Sequence, residues 1–419
     1  MIKRTIPLFL ILLCVVTRST AFAEEAKPLT LADCYALSLK QSETIAQRQE
    51  LITETEGRLL RSFGAIMPEV TFSAEETRQD GTGNSSFTLK EVPLRKFVFK
   101  QTLFGGFKEL AAVAATKAER KQYRYEKSRA EQLLFSDVSD GFYLLLEYRK
   151  DLEVLESTRK ILADRIDELK ERERLGRSRP SEGVSVEAQR ARLEAEWEKV
   201  RNEEKIVKQL LEFLTGLSDI GTITDTQEAV SIPPSRDYFL AKSEARPDVQ
   251  AAIEAWHSAQ KKVTIAEADF WPTVDVEGNY YTKRVGVAEG VNWDAALTVE
   301  VPVFRGTRTF GAVKEAKAKS RSAKLEFEKK KRIASREILD AYARFESARL
   351  KEKALEKALK ASEEDYRLQA EDYRLNLVSN LDVLQSLKAL QDARRDSIHA
   401  LYDTQRLYWQ LRTAAGETL

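Results

Sequence analysis

The sequence predicts a mainly α-helical fold with membrane β-structure: long coiled-coil helices, and four strands per chain that contribute to a shared transmembrane β-barrel. Three observations indicate this class. The chain repeats itself internally at a spacing of about 200 residues, its prolines leave room for two very long helices, and each repeat contains a hairpin with strand-like alternation.

The chain starts with the pattern of a secretion signal. Two basic residues precede the apolar run 6–16, and the small-residue sequence Ala-Phe-Ala follows at 21–23. This pattern is typical of a signal peptide, here spanning 1–23 and cleaved after Ala23. Cys14 follows Leu13 rather than a small residue, so we do not expect a lipid anchor. No second long apolar run follows, and we therefore expect strands to form any membrane-inserted part.

The composition argues against several classes of protein. Charged residues make up 32% of the chain, with 68 basic and 67 acidic side chains. A nucleic-acid binder would show a clustered basic excess, whereas balanced charge suits long solvated helices. After the signal, Cys34 is the only cysteine, and His257 and His399 are the only histidines. We therefore expect no internal disulfide, no metal site and no cofactor.

The internal repeat fixes the organisation of the chain. Phe-Gly-Gly at 104–106 returns as Phe-Arg-Gly at 304–306, and Leu-Gly-Arg at 175–177 returns as Leu-Asn-Leu at 375–377. The sequence thus predicts four segments after the signal: a first repeat 24–216, an inter-repeat linker or equatorial segment 217–245, a second repeat 246–416 and a tail 417–419.

Proline placement delimits the helices. None occurs between Pro93 and Pro180 or after Pro302, and proline breaks helix interiors. Each repeat therefore has room for a long helix of roughly 100 Å and a shorter one after it. The predicted long helices are 107–175 and 307–375, and the short ones are 183–214 and 381–414. Coiled packing is indicated by one apolar series: Leu152, Leu155, Leu162, Ile166 and Leu169. An ordinary helical bundle would explain this series equally well.

A hairpin precedes each long helix, at about 68–104 and 272–304. In 273–280, valine and tyrosine alternate with polar residues, and the partner strand 294–303 places alanine, leucine and valine on one face. The first hairpin repeats the pattern, with a loop at 81–86 and a return strand at 91–104. Strands of this length and patterning fit a barrel around a wet lumen, although a soluble hairpin on helices remains an alternative. Four strands cannot close a barrel, so oligomerisation is part of this prediction.

One stretch carries a family resemblance. Residues 373–385, Tyr-Arg-Leu-Asn-Leu-Val-Ser-Asn-Leu-Asp-Val-Leu-Gln, resemble the tyrosine, glycine and L-D-V-L turn of the TolC family of outer-membrane efflux and secretion channels. The order of signal, hairpins, long helices and short helices extends the resemblance over the whole mature chain. Three positions depart from the family pattern: Asn376 replaces its glycine, Gln385 its second acid, and Val378 an arginine tied to the closed state.

The resemblance implies a trimer with a twelve-stranded barrel and an α-helical barrel crossing the periplasm of a Gram-negative bacterium. It implies export of small molecules or polypeptides through the outer membrane. The implied partners are two further copies, a periplasmic adaptor, an inner-membrane transporter and outer-membrane lipid, and no nucleic acid.

The resemblance also assigns roles to the turns between long and short helices. The implied gate residues are Asp382, Glu182, Gln385 and Tyr373. The implied adaptor-docking tip comprises Leu175, Gly176, Arg177, Ser178, Leu375, Asn376, Leu377, Val378 and Ser379. A ring of carboxylates from Asp382 would favour cations, but an ordinary helix-capping role for this acid explains it equally well. With Val378 in place of the arginine, Arg374, Arg177 or Arg179 could supply the closed-state contact.

The sequence has to be compared with two rival functions, an enzyme and a periplasmic adaptor or scaffold. An enzyme is disfavoured because the sequence contains no Gly-x-Ser-x-Gly elbow and no phosphate-binding loop. A periplasmic coiled-coil adaptor or scaffold without a pore would share the signal and the helices. It would not need two hairpins of membrane-spanning length.

Overall fold

A computed structural model describes residues 28–80, 89–226 and 234–419. The predicted signal peptide 1–23 and the predicted loop 81–86 lie outside these ranges. The elements of the first repeat are α1 (Leu31–Gln41), α2 (Glu43–Gly64), β1 (Glu69–Arg78), β2 (Glu91–Gly105), α3 (Lys108–Arg174) and α4 (Pro180–Thr215). Those that follow are α5 (Arg236–Ala241), α6 (Pro247–Glu267), β3 (Thr273–Lys283), β4 (Trp293–Glu300), α7 (Arg308–Arg374) and α8 (Asn380–Ala414). The predicted class of long helices with a small antiparallel sheet is confirmed.

Helix α3 and its repeat equivalent α7 dominate the molecule. Each contains 67 residues, which corresponds to a length of about 100 Å. The short helix α4 begins at Pro180, so the predicted start at 183 was wrong. Proline is favoured in the first turn of a helix, because its missing N–H has no intrahelical partner there. Ahead of the first hairpin there are two helices rather than one, since Ser42 ends α1 and its hydroxyl accepts from Ile45 N to cap α2.

The sheet joins the two repeats. Its order is β1-β2-β3-β4 with every neighbour antiparallel, and the central pair β2–β3 crosses from one repeat to the other. Strand β4 ends at Glu300, so its predicted extension to 303 was wrong. Pro302 cannot donate to a backbone ladder, which limits pairing at this end. Strands β1 and β4 are the free edges of the sheet.

The helical core lies where α3 meets both short helices. The predicted apolar series on α3 is confirmed, because Leu155, Leu162, Ile166 and Leu169 are buried and Leu152 is half-buried against them. They pack with Val186, Leu193 and Val200 of α4 and with Leu384 and Leu387 of α8. Burial differs sharply between the repeats: twenty-one residues of α3 are buried but only six of α7. Helix α7 is thus an edge of the chain.

The exposed surface of α7 is lined with charged pairs one helical turn apart. Lys319 lies 2.5 Å from Glu315, and Lys360 lies 2.7 Å from Glu356. Such pairs favour a solvated helix surface and contribute little to stability individually. Among the described helices, none combines the length and the apolar character that crossing a membrane requires.

Candidate functional site

Both long helices reverse through the same kind of turn. The backbone is left-handed at Gly176 (φ 72°) and at Asn376 (φ 60°), which confirms that Asn376 adopts the conformation expected of a turn residue. After each, a backbone N–H reaches back to the last turn of the helix: Arg177 N donates to Arg172 O at 2.8 Å, and Leu377 N donates to Asp372 O at 2.9 Å. This hydrogen bond defines a Schellman motif and satisfies carbonyl groups at the helix end. The repeat therefore preserves turn geometry although glycine has become asparagine.

Asp382 caps the helix that leaves the second turn. Its Oδ2 accepts from Ser379 N at 2.8 Å and from Ser379 Oγ at 2.6 Å, while Asp382 N donates to Ser379 Oγ at 3.4 Å. The capping-acid interpretation is thus confirmed. These donors hold the pKa of Asp382 below its usual value, and the side chain remains exposed. A fixed, ionised, accessible carboxylate results, so capping and a role at a constriction are compatible.

The other predicted gate acid holds the equivalent position. Glu182 lies in the first turn of α4 and its Oε2 accepts from Ser178 Oγ at 3.0 Å. It is half-buried, whereas Gln385, one turn beyond Asp382 on α8, is exposed. The two repeats therefore place one carboxylate each at the start of a short helix.

The tip formed by the two turns presents apolar side chains to solvent. Leu175, Leu375 and Leu377 are 54%, 67% and 69% exposed. The remaining predicted tip residues, Gly176, Arg177, Ser178, Asn376, Val378 and Ser379, are exposed or half-buried. These leucines give the end of the two coils an exposed apolar surface.

Tyr373 joins the repeats just above the tip. Its ring is buried, and the guanidinium carbons of Arg165 and Arg172 lie 3.8 Å and 4.5 Å from its centroid. Arg165 Nε also donates to Asn380 Oδ1 at 3.0 Å. The closed-state contact predicted for Arg374, Arg177 or Arg179 stays a prediction, and the cations on Tyr373 are Arg165 and Arg172 of α3. No local pattern could have indicated them, because they lie about 200 residues away in the sequence.

At the opposite end, the sheet has one apolar and one polar face. The register aligns Phe72, Phe97, Tyr280 and Trp293 in a single row across all four strands. The neighbouring row, on the other face, carries a polar network. Lys96 Nζ donates to Asn279 Oδ1 at 2.9 Å, and Asn279 Nδ2 donates to Asp294 Oδ1 at 2.9 Å. The predicted alternation in both hairpins therefore gives a sheet suited to apolar surroundings on one side and water on the other.

Comparisons with known proteins agree with this architecture. The family model described as outer membrane efflux protein matches residues 242–417. The alkaline protease secretion protein AprF of Pseudomonas aeruginosa is 22% identical over 94% of this chain and 85% of its own length. Outer membrane protein OprJ of the same organism is 30% identical, but the match spans only 30% of this chain and 27% of OprJ.

Solved structures show the same fold over nearly the whole chain. The outer membrane protein VceC from Vibrio cholerae superposes with a TM-score of 0.79 at 19% identity, covering 92% of this chain and 96% of VceC. The Campylobacter jejuni outer membrane channel CmeC gives a TM-score of 0.77 at 16% identity, covering 92% and 85%. The family is one of transport proteins rather than enzymes. Residues 242–417 of this chain thus match the outer membrane efflux protein family, and nearly the whole chain shares the fold of the outer membrane proteins VceC and CmeC.

Proposed function

We propose that the chain forms a homotrimeric channel-tunnel that exports small molecules or polypeptides across the periplasm and outer membrane, together with an adaptor and an inner-membrane pump. The observation that carries the proposal is the four-stranded sheet with two different faces and two unpaired edges. In lipid, unpaired backbone groups at a sheet edge are costly, so β1 and β4 require partners. Copies of the same chain supply them when β4 of one protomer pairs with β1 of the next.

The helical part supports the same head-to-tail contact. Helix α3 packs against α4 on one side and α8 on the other, and α8 packs against α7. The outer helices of this layer, α4 and α7, both expose large apolar side chains. On α4 these are Ile206, Leu210 and Phe213, and on α7 they are Leu339, Leu350 and Leu368. A heterologous contact between unlike edges forms a closed ring when the rotation from one copy to the next closes, and the proposed barrel requires such closure. Three copies give twelve strands, an even number within the range of known barrels.

The tip supports roles in gating and docking. Three copies of Asp382, together with Glu182, would place carboxylates around the end of the tunnel and favour cations there. The exposed leucines 175, 375 and 377 offer an apolar surface to a helical partner, the mode by which an adaptor hairpin would dock.

The cargo class divides into two possibilities. AprF is named for secretion of a protease, which favours polypeptide cargo, whereas CmeC and VceC represent channels of the same fold whose names specify no polypeptide. The alternative function, a periplasmic adaptor or scaffold without a pore, does not explain why the sheet has a row of four aromatic side chains, Phe72, Phe97, Tyr280 and Trp293, on one face. Extraction separates the two, because a barrel stays in the outer membrane until detergent is added.

The test is conductance of the detergent-purified protein in a planar bilayer, with its mass measured in the same detergent. We expect a trimer with stable conductance, and a cation preference that falls in Asp382→Ala. Asp392→Ala is the matched control, since Asp392 is an exposed acid further along α8 that pairs with Lys388 at 3.1 Å. A monomer that never inserts would refute the channel. Equal loss of selectivity in both variants would refute the role of Asp382.

A further inference from the structure

A buried ion cluster joins the two repeats well above the tip. Arg395 of α8 donates from Nε to Asp151 Oδ1 at 2.6 Å, and from its two terminal nitrogens to Asp151 Oδ2 at 2.9 Å and Glu196 Oε1 at 2.5 Å. The Asp151 side chain is only 1% exposed. Since the guanidinium occupies both oxygens of Asp151, this is an ion-pair cluster rather than a set of ligands awaiting a metal.

His399 adds a titratable member to this cluster. Its Nδ1 lies 2.5 Å from Glu147 Oε1, and its Nε2 lies 3.7 Å from Asp151 Oδ2. Glu147 is buried, and within the described part of the chain its second oxygen, Oε2, has no hydrogen-bond partner. His399 is therefore the principal partner of a buried carboxylate. A buried charge that loses its partner is strongly unfavourable.

The cluster connects the helical coils of the two repeats. Glu147 and Asp151 belong to α3 and Glu196 to α4, which form the coil of the first repeat. His399 and Arg395 belong to α8, which forms the coil of the second repeat with α7. Along the helices, the cluster lies roughly 30 to 40 Å from the two turns. These contacts therefore link the two coils above their lower parts.

We propose that the His399–Glu147 pair is a pH-sensitive clamp that holds the two coils of a protomer together when His399 is protonated and loosens them when it is neutral. The proposal rests on the channel function proposed above, because it describes how the lower tunnel responds to pH. Arg395 keeps its charge throughout and prevents complete separation, so the clamp adjusts rather than abolishes the contact.

The direction of the response follows from the charges around His399. The hydrogen bond to Glu147 raises the pKa of His399, so its contribution to the closed packing is fully present below the ordinary histidine pKa of about 6.5. It is lost as the pH rises through the higher folded value. A neutral imidazole can still donate one proton to Glu147, but without charge assistance the bond weakens.

The other ionisable groups near the cluster are carboxylates, tyrosines and arginines. Those facing it are Glu147, Tyr148 and Asp151 on α3; Glu196 and Glu203 on α4; Arg395, Tyr402 and Arg406 on α8; and Asp225 in the inter-repeat segment. Carboxylates, tyrosines and arginines ordinarily titrate outside the range from pH 6 to 8.5. Burial moves the pKa values of Tyr148 and Tyr402 further upward. Histidine is the residue type in this set whose ordinary pKa lies within this range, which makes His399 the group that the pH experiment addresses.

The experiment measures access to a buried position of α8 between the clamp and the turn. Ser386 is 5% exposed, and Ser386→Cys is nearly isosteric. Its rate of maleimide labelling in the full-length protein in detergent is divided by that of Ser157→Cys, an exposed position on α3, which removes the intrinsic effect of pH on thiols. Peptide mass spectrometry separates both from buried Cys34. We expect the ratio to rise between pH 6 and 8.5, by about tenfold for each unit by which the pKa of His399 is raised.

Two variants and one control make the result specific. In His399→Gln, which keeps a donor but cannot titrate, and in Glu147→Gln, which removes the buried charge, the ratio should not change with pH. In His257→Gln, which replaces the chain's other histidine, an exposed one, the ratio should respond as in the parent. A ratio independent of pH in the parent, or a response that persists in His399→Gln, overturns the clamp. Conductance recorded at both pH values is a separate arm: absence of current with a preserved labelling response refutes the channel and not the clamp.

Discussion

Replacement of Tyr373 by leucine is expected to open the helical end of the tunnel. The ring contacts two guanidinium groups from the other repeat, Arg165 at 3.8 Å and Arg172 at 4.5 Å. Leucine retains apolar bulk at this buried position but removes the π-face to which both cations bind. If the coils separate at the tip when the gate opens, these contacts exist only in the arrangement seen here, so their loss favours the open form.

The size of the effect follows from burial. A cation over an aromatic face contributes about 0.5 to 1 kcal/mol when exposed and about 2 kcal/mol when desolvated. The side chains of Arg165 and Arg172 are 13% and 24% exposed, so the contacts lie towards the stronger end. Because two cations share one ring, we expect a combined loss of about 1.5 to 3 kcal/mol, a shift of roughly 10- to 150-fold in the opening equilibrium.

The assay is the open probability of single channels, and the matched control is Tyr373→Phe. Within the described residues, the Tyr373 hydroxyl makes no hydrogen bond, so phenylalanine preserves the contacts that matter and should behave as the parent. Equal opening in both variants would show that the hydroxyl rather than the ring holds the tip. An unchanged open probability in Tyr373→Leu would refute a role for this contact in closure.

Three further predictions concern charge, burial and backbone. Asp382→Asn keeps an acceptor for Ser379 but removes the charge, so it should lower cation selectivity as much as Asp382→Ala while preserving more of the thermal stability of the trimer. Because the pKa of Asp382 is lowered, cation selectivity of the parent should stay constant from pH 5 to 9 and decline only in strong acid. A decline near neutrality would contradict this. Arg246 is 2% exposed, binds Asp248 through two hydrogen bonds and donates to Glu337 at 2.7 Å. Arg246→Leu should therefore destabilise the protein by about 3 to 5 kcal/mol, measured as heat-induced loss of helical circular dichroism. The control is Arg336→Ala, which removes an exposed ion pair and should cost under about 1 kcal/mol. Gly176→Ala should destabilise the first turn by about 1 to 2 kcal/mol through its positive φ alone, since an added methyl group would meet open space. Asn376→Gly should be neutral or slightly stabilising, and similar melting temperatures for the two variants would refute this reasoning.

Much of the fold could be predicted because its signals are local. The proline-free stretches and the internal repeat predict α3 and α7. The alternation of apolar and polar residues along 273–280, with a period of two residues, predicts β3. The wrong boundaries lie at the ends of elements, where proline can either interrupt an element or form part of it. Pro180 was interpreted as a helix breaker but is the first residue of α4, and Pro302 ends the pairing of β4 earlier than the valine alternation suggested.

The contacts between the repeats could not be predicted, since each depends on register between distant helices. Arg165 and Arg172 resemble any other solvated arginine of α3 until Tyr373 is packed against them. Glu147 and Asp151 offered a weak signal: they continue the spacing of buried Leu155 towards the start of α3, so acids occupy positions where the series requires apolar residues. Acids in such a series indicate buried ion pairs, and a search for basic residues four apart on another helix would have found 395 and 399.

The ties between repeats weaken from the membrane end to the tip, and this gradient bears on how the molecule opens. At the sheet, β2 and β3 share a continuous backbone ladder. Lower down, Arg129 and Gln132 of α3 donate to the carbonyl groups of Thr413 and Gly416 at 2.8 Å. The buried pairs of Arg395 and His399 follow. Nearest the tip, the contacts between repeats among the described residues are the packing of Leu384 and Leu387 on α3, two cation–π contacts and one hydrogen bond. Separation of β2 from β3 would break all the backbone hydrogen bonds of their ladder together. Each contact at the tip, in contrast, contributes a few kcal/mol at most. If the proposed tunnel opens by separation of the coils, we therefore expect the separation to require the least free energy at the tip and to stop at the Arg395 cluster, so that the moving part lies below residues 151 and 395.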